Sequence, residues 1–205
     1  MISFDEAARQ IAGAWKMARG SDDWRSSLDR SVDSVFSSFA AFAFAAPLVV
    51  LFTASAKRAA ARIPDFSDSL YQTAPLIPLL AADLLTFALD WAASLALLVM
   101  LAQRTGAGKN TADLIVGYNW IQPLIAAAQL PSIAVMASTA STTAGALLGI
   151  PGFALAIFLI WGVVRRGLGA QPAPAAAIIA MLIIVGAVID VAASSAMRAL
   201  FAGQA

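Results

Sequence analysis

Five apolar stretches, each long enough to cross a lipid bilayer, constrain this chain more than any other feature of its sequence. Spanning a hydrocarbon core of about 30 Å takes roughly 20 helical residues at about 1.5 Å each. A backbone inside lipid must also satisfy its own hydrogen bonds, which a helix does. The sequence therefore predicts an all-α, polytopic transmembrane bundle over residues 35–200, with five spans at about 35–56, 77–101, 112–137, 144–164 and 175–197.

Composition supports this class and excludes several kinds of chemistry. Hydrophobic residues make up 60% of the 205 residues and charged residues only 12%. The chain has no cysteine and no histidine, which argues against disulfides, thiol nucleophiles, imidazole bases and typical zinc sites. A net charge of +1 argues against nucleic acid as a partner. We expect no metal, no cofactor and no enzymatic activity.

The third span is the least regular of the five. Two prolines, Pro123 and Pro131, interrupt it, and so do three amides: Asn119, Gln122 and Gln129. A re-entrant third segment would leave four spans and move the carboxyl terminus to the cytoplasmic side. The sequence leaves this alternative open beside the five-span topology.

The distribution of Lys and Arg predicts the orientation of the spans. With the amino terminus inside, nine basic residues lie on the cytoplasmic side and four on the other. We therefore expect a cytoplasmic amino terminus and a carboxyl terminus on the opposite side. Three of the four outer residues, Lys57, Arg58 and Arg62, follow the first span and weaken this prediction.

Residues 1–34 are predicted to form amphipathic helices at the cytoplasmic face. Ser3-Phe4-Asp5-Glu6 fits a capping box at a helix start, and Gly20 ends the run. Apolar residues recur between them at helical spacing: Phe4, Ala8, Ile11, Trp15 and Ala18. The helix lies either in the headgroup region, with Trp15 as its anchor, or packed on a partner or on the protein's own loops.

A second amphipathic run begins at Ser21-Asp22-Asp23 and leads into the first span. Its apolar stripe consists of Trp24, Leu28, Val32, Val35 or Phe36, and Phe39. Because the stripe continues without interruption, we expect one bent or continuous helix to enter the membrane here. The membrane-interface or partner contacts predicted for the amino-terminal region are Phe4, Ile11, Trp15 and Trp24.

Three carboxylates interrupt the apolar spans. Asp83 and Asp90 lie two helical turns apart on nearly the same face of the second span, and Asp190 lies in the fifth, antiparallel span. All three are expected to meet in the outer half of the bundle. A charged Asp at the centre of a spanning helix costs about 2.5–3.5 kcal/mol, so at least one is expected to be protonated, hydrogen-bonded or facing water.

Two interpretations of these carboxylates remain open. In the first they form a proton or cation site, with Asn119 and Gln122 as neutral partners from the broken third span. In the second, protonated Asp90 and Asp190 pin neighbouring helices together by hydrogen bonds. An aspartate pair also suggests an intramembrane aspartyl protease, but the residues around Asp90 and Asp190 match neither motif of that family.

We assign structural rather than functional roles to three short motifs. Gly145 and Gly149 form a small-xxx-small pattern that allows close helix contact. The turn 106–111 looks like a phosphate loop but lacks the Walker spacing, so we interpret it as a cytoplasmic turn. Arg165-Arg166 is most simply a topology determinant.

The stretch from Gly106 to Pro123, with Tyr118 in its helix, resembles the Yip (Ypt/Rab-interacting protein) domain. The stretch from Trp161 to Gly169 and the five-span layout also look like that family. The resemblance implies a membrane organiser or partner-binding protein without catalysis. The aspartate pair is not part of the family pattern, and the amino terminus looks instead like small inner-membrane proteins of bacteria.

From these observations we expect a non-catalytic protein of the bacterial inner membrane that acts as a membrane organiser, a partner-binding protein or an accessory subunit. Its partners would be the lipid bilayer and other membrane proteins, and it is a possible oligomer or subunit of a larger complex. The alternative is a small secondary transporter or channel for protons or cations that uses the three aspartates.

Overall fold

A computed structural model describes residues 2–66 and 69–201. Most of these residues are helical, and they form nine α-helices and short 3₁₀ turns with no strand among them. The all-α prediction is confirmed. The tail predicted at 201–205 lies, beyond Phe201, outside the described residues.

Helix α1 (Phe4–Arg19) begins and ends where its caps are predicted. The Ser3 hydroxyl accepts the Glu6 N–H at 3.2 Å, which satisfies one of the free amides of the first turn. Gly20 ends the helix in the left-handed conformation, with φ of 81°. Glycine adopts this conformation without the steric cost of a Cβ, which makes it a common helix terminator.

The expectation of one helix from residue 21 into the first span is wrong. Helix α2 (Trp24–Ser27) ends at Leu28, whose backbone is extended, and α3 (Val32–Ser37) begins afresh. The Asp29 carboxylate accepts the Ser31 N–H at 2.9 Å, and the Ser31 hydroxyl caps Ser34 at 3.1 Å. These local side-chain bonds compete with helix continuation, which explains the break.

Five long apolar helical segments follow, and each contains one of the predicted spans. The first runs from Val32 to Ala60 through α3, a 3₁₀ turn and α4 (Ala41–Ala60). After the short α5 (Leu70–Thr73), the others are α6 (Leu76–Arg104), α7 (Thr111–Thr139), α8 (Thr142–Leu168) and α9 (Pro172–Phe201). All five are long and apolar enough to cross a membrane.

Helix α7, the predicted third span, is one continuous helix. It runs for 29 residues through both Pro123 and Pro131. That length exceeds the roughly 20 residues that a bilayer core requires. Its lower mean hydropathy, 1.4 against 2.0–2.7 for the others, reflects the polar side chains that it buries inside the bundle.

The centre of the bundle is formed by α4, α7 and α8, with α6 and α9 packed outside them and beside each other. The predicted Gly145-xxx-Gly149 pattern lies in the α7–α8 contact. The Ser132 hydroxyl donates to the Gly145 carbonyl at 2.7 Å, and a Cβ at Gly149 would lie 3.2 Å from the same hydroxyl. The small residues therefore serve packing within this chain.

Two of the basic residues on the predicted outer side cap helix ends. The Lys57 ammonium donates to three carbonyls at the end of α5, the shortest bond being to Ala74 at 2.6 Å. The Arg62 guanidinium donates to the Ala137 carbonyl near the end of α7 at 2.8 Å. Carbonyls at a helix end lack intrahelical partners, so both side chains stabilise this end of the bundle.

Candidate functional site

The three intramembrane carboxyls lie along the seam where α6 and α9 pack side by side. Asp90 is the middle residue of α6, and Asp83 is two turns nearer its start. Asp190 lies within one turn of the midpoint of α9, close enough to both Asp83 and Asp90 for their charges to interact. The fold thus brings the three residues to one side of the bundle.

Asp83 is held by two hydroxyl groups that the sequence analysis did not single out. The Thr53 hydroxyl of α4 donates to its Oδ2 at 2.6 Å, and the Tyr71 hydroxyl of α5 donates to the same atom at 3.2 Å. Burial, together with the carboxyls of Asp83 and Asp190, raises the pKa of Tyr71 well above its usual range. Tyr71 therefore remains a proton donor at physiological pH.

Asp90 and Asp190 are less well supplied with hydrogen-bond partners than Asp83. Among the described residues, the Oδ1 of Asp90 is buried without a hydrogen-bond partner, and it lies against a glycine of α9. A Cβ at that glycine, Gly186, would lie 3.0 Å from the same oxygen. The Asp190 side chain is exposed on the outer surface of the bundle. A polar group in lipid without a hydrogen-bond partner is costly. The seam therefore has carboxyl oxygens whose hydrogen bonds would have to come from another molecule.

One of the two amides predicted as partners of the carboxylates, Asn119, is used elsewhere. Asn119 is fully buried, where its Oδ1 accepts from the Trp91 indole at 2.8 Å and its Nδ2 donates to the Ser38 hydroxyl at 2.8 Å. These two hydrogen bonds join α6, α7 and the start of the first span. Gln122 is also buried, beside Tyr118 on α7.

The carboxylates do not converge on a metal site. In the ranges 2–66 and 69–201, no three His, Cys, Asp or Glu side chains are grouped closely enough to hold a metal ion. With Asn119 committed to Trp91 and Ser38, the seam offers carboxyl and hydroxyl groups only. These groups can donate and accept hydrogen bonds, and a carboxyl can also exchange its proton.

Helix α1 packs on the bundle and still keeps an apolar stripe open. One face lies buried against α7, α8 and the α2–α3 segment, and it consists of Ala7, Gln10, Gly13, Ala14, Met17 and Ala18. The next face carries the predicted contacts Phe4, Ile11 and Trp15. Phe4 is 83% exposed, while Ile11 and Trp15 are half-buried. Charged side chains occupy the third face.

Trp24 does not belong to that open stripe. It is 5% exposed, and the Arg25 guanidinium lies 4.5 Å from the centre of its ring. The reason is that α2 folds back on α1, where the Lys16 ammonium donates to the Asp23 carboxylate at 2.6 Å. The bonds from Lys16 and Ser21 lower the pKa of Asp23 to about 2. The predicted contact residue is therefore a packing residue of this turn.

The end of α1 is fixed to α8. The Arg166 guanidinium donates to the Ala18 carbonyl at 3.3 Å and to the Gly162 carbonyl at 3.1 Å. Arg166, interpreted from sequence as a topology determinant, thus also holds the amino-terminal helix in place.

No protein-family model, curated protein or solved structure matches this chain. The resemblance to the Yip domain rests on the sequence motifs alone and stays a prediction.

Proposed function

We propose that this protein is a non-catalytic accessory subunit or membrane organiser that binds another membrane protein along the α6–α9 seam. The observation that carries the proposal is the exposed carboxyl of Asp190, within one turn of the middle of α9. Left in lipid, a charged Asp at this depth costs about 2.5–3.5 kcal/mol. A partner that supplies a hydrogen-bond donor removes that cost, because polar groups stabilise contacts between membrane helices.

The open stripe of α1 supports a second, weaker contact with the bilayer. Phe4, Ile11 and Trp15 lie between the face buried on α7 and α8 and the charged face. This three-sided arrangement suits a helix at the level of the headgroups, with apolar side chains towards lipid and charges towards water. We therefore place the lipid bilayer and another membrane protein at different surfaces of the same chain.

We further propose the bacterial inner membrane, with a cytoplasmic amino terminus and a periplasmic carboxyl terminus. Two of the three basic residues that weakened this orientation have a local use, since Lys57 and Arg62 bond to carbonyls at helix ends. Their presence on the outer side is then explained by packing rather than by topology.

Co-purification in mild detergent from native membranes tests the partner proposal. We compare the wild-type chain with Asp190→Leu and with Val188→Leu, a matched change on the lipid-facing side of the same helix turn. A defined protein should accompany the wild type and Val188→Leu but be lost with Asp190→Leu. If the protein runs alone in all three preparations, the proposal fails.

A small proton or cation transporter is the second candidate function, favoured by the unpartnered Oδ1 of Asp90. A carboxyl with an unpartnered oxygen can exchange its proton if water reaches it. The test is ion flux into liposomes that contain the purified chain. Flux that disappears in Asp90→Asn would establish this candidate, and wild-type liposomes no leakier than empty ones would reject it.

A further inference from the structure

Helix α5 lies across the end of the α6–α9 seam at which α6 begins. It is a single turn in the connection between the first and second apolar helices, and it packs against α4 and α9. Two of its side chains, Leu70 and Tyr71, share an apolar cluster with Leu79 at the start of α6 and Met197 near the end of α9. Helix α5 therefore bridges the two helices of the seam at this end.

The position of α5 depends on its attachments to the bundle. A helix of one turn is not stable on its own, because its nucleation is costly and it forms few backbone hydrogen bonds. The Lys57 ammonium of α4 donates to the carbonyls of Tyr71, Gln72 and Ala74 at 3.2, 3.4 and 2.6 Å. Carbonyls at a helix end lack intrahelical partners, so Lys57 both satisfies them and fastens α5 to α4.

The two hydroxyls that donate to Asp83 differ in how firmly the fold holds them. Thr53 belongs to α4, one of the central helices, and it is fully buried. Its hydroxyl lies 2.6 Å from Asp83 Oδ2. Tyr71 belongs to the one-turn α5, and its hydroxyl lies 3.2 Å from the same oxygen. If α5 moves away, Thr53 still holds Asp83, while the carboxyl loses its cover on the side of the connection.

We propose that α5 is a strap that opens and closes this end of the seam, with Lys57 holding it closed and Tyr71 covering Asp83. In the closed position, which the structure shows, Tyr71 and its apolar neighbours keep water from the carboxyl. Separation of Lys57 from the three carbonyls releases the strap, and water then reaches Asp83 from the connection between α4 and α6. Gln72 and Thr73 are exposed, so the movement breaks few apolar contacts.

Thiol labelling of single-cysteine chains in lipid nanodiscs tests this proposal, because the native chain has no cysteine. Both faces of a nanodisc are open to the reagent, so the test does not depend on the orientation of the spans. The probe is Ala82→Cys, beside Asp83 and half-buried against the cluster that contains Leu70 and Tyr71. A water-soluble methanethiosulfonate reports the access of water to this site, since the reacting species is the thiolate.

The strap variants are Lys57→Met, which removes the ammonium, and Tyr71→Phe, which removes only the hydroxyl. The matched control is Arg58→Met, because Arg58 is the exposed basic neighbour of Lys57 on α4 and the three bonds to the carbonyls come from Lys57. A second probe, Ala156→Cys, is buried in α8 outside the strap's cluster. It reports whether a variant loosens the whole bundle.

We expect the thiol at position 82 to react slowly in the otherwise unchanged chain. Lys57→Met should raise the rate about tenfold, the effect of losing one charge-assisted hydrogen bond, and Tyr71→Phe about fivefold. Arg58→Met should leave the rate at position 82 unchanged, and the rate at position 156 should stay low in every variant.

Three results would overturn the strap. If Lys57→Met labels no faster than Arg58→Met, Lys57 does not hold it closed. If position 82 of the unchanged chain reacts as fast as the exposed Gln72→Cys, this end of the seam is open to water in any case. If position 156 gains as much as position 82, the bundle loosens as a whole and no separate movement of α5 exists.

Discussion

Gly162 of α8 lies directly against the Ala18 carbonyl of α1, so close that a Cβ at position 162 would overlap the Ala18 backbone. Arg166, one turn further along α8, bonds to the carbonyls of both residues. The contact joins the amino-terminal helix to a membrane span across more than 140 residues of sequence. Helix α1 is therefore a part of the bundle and not a detachable tail.

Gly162→Ala should loosen this contact. Because the obstacle is backbone, the two helices must separate, and we expect a loss of about 1–3 kcal/mol in stability, as for other overpacked sites. The measurement is thermal unfolding in detergent together with tryptic cleavage after Lys16 and Arg19. Gly108→Ala is the control, since a Cβ there meets open space. Identical behaviour of the two variants would contradict the close contact.

Asn119 and Trp91 should be energetically coupled. Each loses a buried hydrogen-bond partner when the other is removed, and an unsatisfied buried group costs about 1–3 kcal/mol. We predict that Asn119→Ala and Trp91→Phe each lower stability by about this amount. The double variant should lose less than the sum of the two, by at least 0.5 kcal/mol in a double-mutant cycle of reversible unfolding. Simple additivity would show that the bond contributes nothing.

The pKa of Asp23 should be measurable by carboxyl NMR shifts. We expect a midpoint of about 2, which returns towards the usual value in Lys16→Met. Because folding lowers this pKa, the ion pair stabilises the α1–α2 turn above the unfolded pKa of about 4, and the contribution is lost as the pH falls towards 2. An unchanged midpoint in Lys16→Met would contradict the assigned cause.

The proposed orientation can be read from single cysteines, because the chain has none of its own. Gln72→Cys and Thr105→Cys place exposed thiols at opposite ends of α6. In cells with a permeabilised outer membrane, a membrane-impermeant maleimide should label Cys introduced at 72 at once. The site at 105 should react only after the inner membrane is broken. The reverse pattern would invert the topology.

Length and hydropathy were enough to predict the five long apolar helices, and short-range chemistry was enough to place the ends of α1. Ser3 and Gly20 cap the two ends of α1 through hydrogen bonds to residues a few positions away, so their role can be predicted from the sequence. The break at Leu28 was missed because the apolar stripe continues across it. The break is caused by hydrogen bonds from the backbone amides of Ser31 and Ser34 to the side chains of Asp29 and Ser31. This signal is local, but the prediction followed the spacing of the apolar residues instead.

The partners of the buried polar groups depend on which helices meet, and one sequence does not reveal that. Asn119 was assigned to the carboxylates by membrane depth, but its partners Ser38 and Trp91 lie 81 and 28 residues away. The sequence analysis did not single out Thr53. A hydroxyl in an apolar span needs a hydrogen-bond acceptor, and for Thr53 this acceptor is Asp83. Position along each helix was predictable, whereas position around the bundle was not.

Photo-cross-linking beside Asp190 tests the partner proposal most directly. Benzoylphenylalanine replaces Ala187, which is exposed and lies one helical turn before Asp190, so the carboxyl is kept; the same replacement at Val188, 62% exposed on another side of α9, is the control. Irradiation of native membranes should join position 187 to one defined protein and leave position 188 joined to none. The proposal is contradicted if neither position forms a protein adduct, or if both do so equally.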